Sequence, residues 1–204
     1  MGKFHDLIPE EGGWKTLRRE NLYDGPHIQV EAIVRQTPSR PEGVPWTVIH
    51  RRAACVIAPL TAEGGLILIR QERVPVCREL WEFPAGQVDR WDGPDTLRET
   101  ALRELTEETG YRLAEGGELR AMGHFFPSSG VMDECSFLFL ASPVVPAPHG
   151  ATPEESEAIT ACRTFTPAQL RTMIAEGEIV DANTLAAYAR LAALGWLPPP
   201  GENS

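Results

Sequence analysis

The chain has 204 residues, of which 42% are hydrophobic, so it can bury a substantial core as one domain or as a core with an extra module. Its net charge of −10 and pI near 5.0 argue against a general nucleic-acid-binding protein, which would carry a basic stripe. An anionic substrate is still compatible with this charge, provided that a metal ion and a few arginines offset the negative field locally.

The sequence gives little indication of a secretory signal, a membrane span, a disulfide framework or a zinc site. The N-terminal residues lack the apolar segment of a secretory signal, and no apolar run approaches the roughly 20 residues of a membrane span. The cysteines are widely spaced without a CxxC pair, which disfavours a zinc cage or a disulfide framework. We therefore expect reduced thiols in a cytoplasmic protein that does not bind membranes. The cysteines are Cys55, Cys77, Cys135 and Cys162.

The N-terminal part is predicted to be rich in strands. Residues 14–38 predict two strands around the turn YDGP, because apolar and polar residues alternate in HIQVEAIV. The predicted elements that follow are a loop at 39–45, one or two strands in 46–60, a turn at 61–65 and a strand at 66–74.

A helix is predicted in the middle of the chain. Residues 80–89 predict a short strand that leads into a Pro-Gly loop, and the helix follows from Thr96 to Thr109. Thr96 and Glu99 fit a capping box, and Gly110 fits the position just after the helix end.

The C-terminal part predicts further strands and two closing helices. Its predicted elements are a strand at 118–126, a loop at 127–134, a strand at 136–142, a long loop at 143–156, a strand at 159–166, helices at 167–178 and 183–195, and a disordered tail at 198–204. The order of strands, one helix, strands and two helices predicts an α+β fold with a mixed sheet.

The middle helix has an unusual charge pattern. Glu104, Glu107 and Glu108 crowd its last turns, where the helix dipole disfavours acidic groups. Glu104 and Glu108 are also four residues apart, so they repel each other on one face. Stability alone would not select this arrangement.

A bound cation would explain the pattern. At 100° per residue, Glu104 and Glu108 border the apolar stripe formed by Ala101, Leu102 and Leu105, so their charges lie near a low-dielectric surface. Mg²⁺ prefers oxygen ligands and binds through carboxylates and substrate phosphates. The alternative from the residues alone is a solvated acidic face, paired with Arg98 and Arg103.

The surrounding motif favours the metal. EFPAG (82–86) followed by RELTEETGY (103–111) resembles the Nudix box, a glycine loop followed by R-E-U-x-E-E-x-G-U, where U is bulky and apolar. The resemblance implies a Nudix-type α/β/α sandwich that binds Mg²⁺, with Mn²⁺ as the alternative ion. The implied metal ligands are the Ala85 carbonyl, Glu104, Glu107 and Glu108, and Arg103 would orient the glutamates.

The chain departs from the box in two ways. Sixteen residues separate Gly86 from Arg103, which we interpret as a three-residue insertion relative to the family, and loops tolerate insertions at little cost. Asp95 stands where the family has a glutamate.

The stretch LILIRQERVPVCRELWEFPAG (66–86) resembles ADP-ribose pyrophosphatases. This resemblance implies Arg73 as a phosphate clamp, with Arg70 and Glu82 as further substrate contacts, because an arginine fork can bond two phosphate oxygens. Surface charge on a strand is the alternative interpretation of the two arginines.

Two loops complete the resemblance. FFPSSGVMDE (125–134) carries Pro127 at the spacing from Tyr111 that is typical of ADP-ribose substrates, although Ser129 replaces a proline, and Glu134 would face the metal. The loop PEESEAI (153–159) would carry the general base, with Glu157 as the best match and Glu155 as its rival.

The resemblance also predicts domain organisation. Residues 1–48 would form a small antiparallel β-region for dimerisation and substrate contact, and 49–197 the Nudix domain of a homodimer. Trp14 and Trp46 would stack on the adenine or pack in the dimer interface, and Arg51 would reach a terminal phosphoribose.

The predicted function is Mg²⁺-dependent hydrolysis of a nucleoside diphosphate linked to another moiety, most simply ADP-ribose to AMP and ribose 5-phosphate. GDP-mannose or another nucleotide sugar is an alternative substrate. A non-catalytic module that senses a nucleotide is the alternative from another functional class.

Overall fold

A computed structural model of the protein describes residues 11–93, 95–153 and 157–197. The chain first forms a three-stranded antiparallel meander of β1 (Lys15–Asp24), β2 (Gln29–Thr37) and β3 (Arg40–His50). We refer to it as the N-terminal sheet, and it confirms the predicted antiparallel β-region.

The predicted loop at 39–45 is wrong, because residues 40–45 belong to β3. Val44 pairs with Arg35 and Pro45 with Val34. Within the described residues β3 forms a strand ladder only with β2, and an edge strand can accommodate prolines that cannot donate to a second neighbour. The proline-rich composition therefore indicated a loop where the chain forms an edge strand.

The main sheet contains seven strands. Its five-strand path runs in the order β10-β5-β4-β9-β8, with β6 paired to β5 and β7 paired to β4. Strands β4 and β9 are parallel and the other pairs are antiparallel, so the predicted mixed sheet is confirmed. The strands are β4 (Ala54–Thr61), β5 (Leu66–Arg73), β6 (Arg78–Glu82), β7 (Ala85–Gln87), β8 (Tyr111–Phe125), β9 (Ser136–Pro146) and β10 (Ile159–Phe165).

Several strand boundaries differ from the prediction. The predicted strand at 80–89 is two short strands, and the strand expected at 118–126 already begins at Tyr111. Residues 143–146, predicted as loop, extend β9, because Val144 is buried and pairs with both Thr61 of β4 and Leu113 of β8. The stabilisation from burying this valine outweighs the tendency of the neighbouring prolines to disfavour a strand.

The helices are α1 (Asp95–Thr109), α2 (Pro167–Ala175) and α3 (Ala182–Ala193), and a 3₁₀ turn spans Val74–Val76. The predicted capping box of α1 is wrong: Thr96 lies inside the helix, and its hydroxyl accepts a hydrogen bond from the Asp92 amide at 3.1 Å. The predicted end is confirmed, since Gly110 follows α1 with a φ of 71°, which glycine adopts without strain.

Two hydrophobic cores lie on opposite faces of the main sheet. Alternate residues of β4 point to different cores: Val56 and Ala58 pack with α2 and α3, whereas Cys55 and Ile57 pack with Ala101 and Leu105 of α1. Helices therefore cover both faces, which confirms the predicted α/β/α sandwich.

All four cysteines are free thiols. Among the described residues, no helix is long and apolar enough to cross a bilayer.

Candidate active site

Three carboxylates from two distant segments converge beside α1. Glu104 and Glu108 lie on the last turns of the helix and are 4% and 2% exposed. Glu157 precedes β10, and one carboxylate oxygen of each glutamate lies within 4.8 Å of the others. We call these three residues the acidic triad.

The pairing of β10 with β5 places Glu157 beside α1. β10 runs antiparallel to β5, and the Glu72 amide of β5 donates to the Ala158 carbonyl at 3.0 Å. α1 packs on the sheet through its small and branched apolar residues, which bury the adjacent acids. The prediction that Glu104 and Glu108 border this surface is thus confirmed, and both are more deeply buried than their helical positions indicated.

The β7 segment passes directly beside the acids. The Ala85 amide donates to Glu108 Oε2 at 2.8 Å. A Cβ on Gly86 would lie 1.8 Å from Glu104 Oε1, so a larger residue at this position would displace the Glu104 side chain. Ala85 therefore lies at the triad, and the role of its carbonyl as a metal ligand stays a prediction.

Ionisation of Glu104 and Glu108 is unfavourable at their buried positions. Burial, together with the charges of Glu157 and Glu104, raises the pKa of Glu108 to about 9, although the Ala85 amide and the Arg73 charge act in the opposite direction. Burial likewise raises the pKa of Glu104 to about 7, against the opposing charge of Arg103. A hard divalent cation fits this set of three carboxyl oxygens, because its charge would offset the cost of ionising the buried Glu104 and Glu108 beside Glu157.

Arg103 and Glu107 flank the triad. Arg103 donates to Glu104 Oε1 through Nη2 and to Glu107 Oε2 through Nη1, both at 2.6 Å. The Glu107 side chain is 30% exposed and lies outside the triad. Arg103 therefore contacts two of the glutamates, while its orienting role and ligation by Glu107 both stay predictions.

The insertion before α1 also reaches this region. Asp89 accepts a hydrogen bond from Arg52 at 2.8 Å, and its carboxylate lies 3.8 Å from Arg103. Asp95, which replaces the family glutamate, is exposed at the first position of α1. There its charge is favourable for the helix dipole, which gives Asp95 a role in helix stability.

Arg73 is held by a buried carboxylate. Its Nε lies 3.0 and 3.1 Å from the two oxygens of Glu82, and its Nη2 lies 2.5 Å from Oε2. Glu82 is 2% exposed, and burial raises its pKa against the opposing charge of Arg73. The charge of Arg73 also lowers the pKa of Glu108, so this guanidinium lies within electrostatic reach of the triad.

Arg70 lies on the other face of β5, because it is three positions before Arg73 in a regular strand. It pairs with Glu79 at 3.0 Å and lies 5.9 Å from the ring of Trp81. Arg70 is therefore not brought beside Arg73, and a substrate contact through it stays a prediction.

The loop at 127–134, hereafter the 127–134 loop, is docked on the end of β3. The Ile49 amide donates to the Val131 carbonyl at 2.9 Å, and the Trp46 indole donates to the Gly130 carbonyl at 2.8 Å. Pro127 begins this loop and is partly buried. The Trp46 indole nitrogen is thus engaged with the loop.

At the other end of this loop, Glu134 is buried and accepts a hydrogen bond from Arg51 at 2.9 Å. Burial raises the pKa of Glu134 while the Arg51 charge opposes that shift. The Trp46 side chain remains 54% exposed, and Trp14, just before β1, is 44% exposed. Their predicted stacking on a base stays a prediction, and so do the roles of Arg51 and Glu134.

One group of residues near the 127–134 loop is not predicted from the sequence. His50 at the end of β3 lies between Glu31 and Asp133, and Arg19 contacts the same Glu31. The partners are up to 83 residues apart, so no local pattern could reveal them. The only hint is that Asp133 directly precedes Glu134, which the sequence does single out.

The rival base Glu155 and the tail at 198–204 lie outside the described residues.

Comparisons with known proteins agree with this geometry. The model of the NUDIX domain family matches residues 49–188. The chain is 31% identical over 175 residues to an ADP-ribose pyrophosphatase of Bacillus subtilis (strain 168), with 86% of this chain and 89% of that protein covered. It is 30% identical over 177 residues to a methanol dehydrogenase activator of Bacillus methanolicus, with 87% and 91% covered.

The fold comparison covers nearly the whole chain. A crystal structure of an ADP compounds hydrolase superposes with a TM-score of 0.71 at 18% identity, and 92% of this chain and 96% of that chain are covered. This neighbour supports the fold, whereas the family follows from the domain match and the relative in Bacillus subtilis. With the domain match, the relatives and the acidic triad in agreement, the chain belongs to the NUDIX family and is a Nudix hydrolase similar to ADP-ribose pyrophosphatases.

Proposed function

We propose that the protein hydrolyses the pyrophosphate bond of ADP-ribose, producing AMP and ribose 5-phosphate, in a reaction that requires a divalent cation. The observation that carries this proposal is the acidic triad, in which two buried glutamates of α1 meet Glu157 within 4.8 Å. The names of the Bacillus subtilis relative and of the structural neighbour support an ADP-containing substrate.

The triad would hold the cation with help from its neighbours. Glu104 and Glu108 are the central ligands, and the Ala85 carbonyl and Glu107 are the further candidates on either side. A bound Mg²⁺, with Mn²⁺ as the alternative, supplies charge neutralisation at the phosphates and lowers the pKa of a coordinated water. The oxygen-only donor set fits both ions.

Glu157 would orient and deprotonate the attacking water. Glu157 belongs to the triad but lies in the segment before β10, whereas the other two glutamates lie on α1. Its carboxylate is therefore held by a different element from the proposed metal ligands. The water oxygen forms a bond to one phosphorus and the bridging P–O bond breaks, so that both products end in a phosphate monoester. Glu155 is the rival for this role, and the variants described in the Discussion separate the two.

Arg73 would bind the pyrophosphate. Glu82 is buried and bonded to Arg73, so we propose that Glu82 acts through this arginine. Arg51 and Glu134, which are bonded to each other, would contact the terminal phosphoribose and the metal side of the site, respectively. Arg70 is the weaker candidate, because it lies on the other face of β5 and is not brought beside Arg73.

The N-terminal sheet would bind the base and a second copy of the chain. Large exposed apolar side chains concentrate there, and such patches commonly mark interfaces. They are Trp14, Leu17, Leu22, Tyr23 and Trp46. A pocket of about 430 Å³ lies on this sheet, lined by Arg18, Ala32, Ile33, Val34, Pro45, Trp46 and Thr47. We propose a homodimer in which one tryptophan stacks on adenine and the other packs at the interface, with the predicted division into residues 1–48 and 49–197.

The test is a product assay on the purified protein. ADP-ribose, GDP-mannose and NADH are each incubated with Mg²⁺, with Mn²⁺ and with EDTA, and the products are identified by chromatography. We expect AMP and ribose 5-phosphate from ADP-ribose, only with metal, and much slower turnover of the other two. Faster turnover of GDP-mannose would assign another nucleotide sugar, and no turnover of any compound would favour a nucleotide-sensing module.

A second candidate function comes from the Bacillus methanolicus relative, whose name describes activation of a methanol dehydrogenase. This candidate is tested by adding the protein to a methanol dehydrogenase assay. A rate increase that survives substitution of Glu108 by glutamine would support an activator role independent of hydrolysis.

A further inference from the structure

A buried histidine joins the N-terminal sheet to the 127–134 loop. His50 is 7% exposed; its Nδ1 lies 2.5 Å from Asp133 Oδ2, and its Nε2 lies 3.0 Å from Glu31 Oε2. Carboxylates only accept hydrogen bonds, and a neutral imidazole has a single N–H. Both contacts are therefore hydrogen bonds only when the ring is protonated.

The charges around His50 alternate in sign. On the side of the N-terminal sheet, Arg19 of β1 donates to Glu31 Oε2 at 2.9 Å. On the loop side, Asp133 Oδ1 accepts from the Arg51 amide at 3.2 Å. The Arg51 guanidinium in turn donates to Glu134, so hydrogen-bonded residues connect β1 to the proposed substrate contacts.

We propose that His50, as an imidazolium, is a positioning residue that holds the 127–134 loop on β3 and thereby fixes Arg51 and Glu134 for the substrate. The role of those two residues rests on the proposed function, whereas the link between His50 and the loop rests on geometry alone.

The electrostatics of this position agree with a charged ring. The hydrogen bond that the ring donates to Asp133 raises the pKa of His50, burial opposes this, and the charges of Asp133 and Glu31 add to the increase. Because the folded-state pKa is raised, the paired arrangement is complete below the ordinary histidine pKa and is lost as pH rises through the folded-state value. Arg19 and the Arg51 amide still contact the two carboxylates then, so the loop should loosen without general unfolding.

Amide hydrogen exchange tests the structural half of the proposal. In His50→Gln, peptides covering residues 128–134 should exchange about tenfold faster than in the wild type at the same pH, because a buried charged hydrogen bond is lost. Peptides from β4 should not change, and His27→Gln, in an exposed turn of the N-terminal sheet, should match the wild type. Equal protection of the loop in wild type and His50→Gln would overturn the proposal.

Kinetics tests the functional half. With ADP-ribose, His50→Gln should raise KM about tenfold and change kcat by less than about threefold, since positioning of a binding group affects substrate affinity first. The wild-type KM should rise across the pH at which NMR shows the His50 ring to titrate, and the KM of His50→Gln should lack this rise. A wild-type KM that is flat across that titration would overturn the proposal.

The two failures are separable. If the wild type does not hydrolyse ADP-ribose, the proposed function fails while hydrogen exchange still tests the link between His50 and the loop. If His50→Gln does not fold, Asp133→Asn retains the side-chain volume and removes the charge that faces the ring. It should loosen the same loop peptides and lower the pKa of His50, and an unchanged His50 titration would overturn the proposal.

Discussion

Substitution of Glu108 by glutamine should change how stability depends on pH in the absence of metal. The folded protein retains a proton on Glu108 up to a pKa of about 9, because the carboxyl group is buried beside two other glutamates. The unfolded chain releases that proton near the ordinary glutamate pKa. The folded state therefore binds more protons between these values, and the free energy of unfolding falls as pH rises.

The magnitude follows from one proton. A difference of one bound proton changes the free energy of unfolding by about 1.4 kcal/mol per pH unit. Glu104, whose pKa is about 7, completes most of its own contribution below that pH. From about pH 7 to about pH 9 the wild type should lose about 2.3 kcal/mol more than Glu108→Gln, which carries a neutral side chain throughout, because the difference in bound protons falls to one half at the folded-state pKa.

The assay is urea unfolding in EDTA at several pH values in this range, with Glu107→Gln as the matched control on the exposed side of α1. Groups distant from the acidic triad titrate equally in all three proteins, so the difference between slopes reports on the triad and its immediate neighbours. Mg²⁺ at about a hundred times its Kd should then stabilise the wild type by about 2.7 kcal/mol and leave Glu108→Gln unchanged. Parallel slopes for wild type and Glu108→Gln in EDTA would refute the reasoning from burial.

Three further substitutions test the rest of the site. Gly86→Ala places a methyl group against the Glu104 carboxylate, where 1.8 Å is available, so metal affinity by calorimetry and turnover should both fall at least about tenfold. Glu82→Gln weakens the support of Arg73 and should raise KM for ADP-ribose about tenfold with a smaller change in kcat. Glu157→Gln should lower kcat by about a hundredfold or more with a small change in KM, measured by steady-state kinetics.

Each of these has a matched comparison. Gly12→Ala adds a methyl group with no atom within 4 Å and should be silent, and an equally silent Gly86→Ala would contradict the close approach. Glu79→Gln removes the partner of Arg70 and should leave KM nearly unchanged; a larger effect there than at Glu82 would reverse the assignment of the two arginines. If Glu155→Gln, rather than Glu157→Gln, lowers kcat, the position of the base in the loop is shifted by two residues.

The sequence predicts α1 and its acids well because both depend on local periodicity. Glu104 and Glu108 border the apolar stripe on a helical wheel, and the folded chain buries them at that border. The start of α1 was missed by one residue, because the Thr96 hydroxyl accepts from Asp92 instead of capping the helix. Sequence preferences rank the residues that could cap a helix, but they do not show which residue the preceding loop places at the cap position.

Features that depend on pairing between residues far apart in the chain are harder to predict from the sequence. Residues 40–45 resemble a loop by composition and become a strand through pairing with β2. His50 finds Asp133 across 83 residues of chain, and no residue-level pattern connects them. Glu157 was selected by resemblance, and its meeting with Glu104 and Glu108 depends on the pairing of β10 with β5.

That last pairing has a consequence for biosynthesis. Glu157 reaches α1 only when β10, which ends at Phe165, adds to β5, which begins about 100 residues earlier at Leu66. A ribosome-bound chain that stops before β10 has every element of the Nudix box but only two of the three clustered carboxylates. The growing polypeptide should consequently gain the proposed general base, and with it full hydrolytic activity, only after β10 has left the exit tunnel and docked.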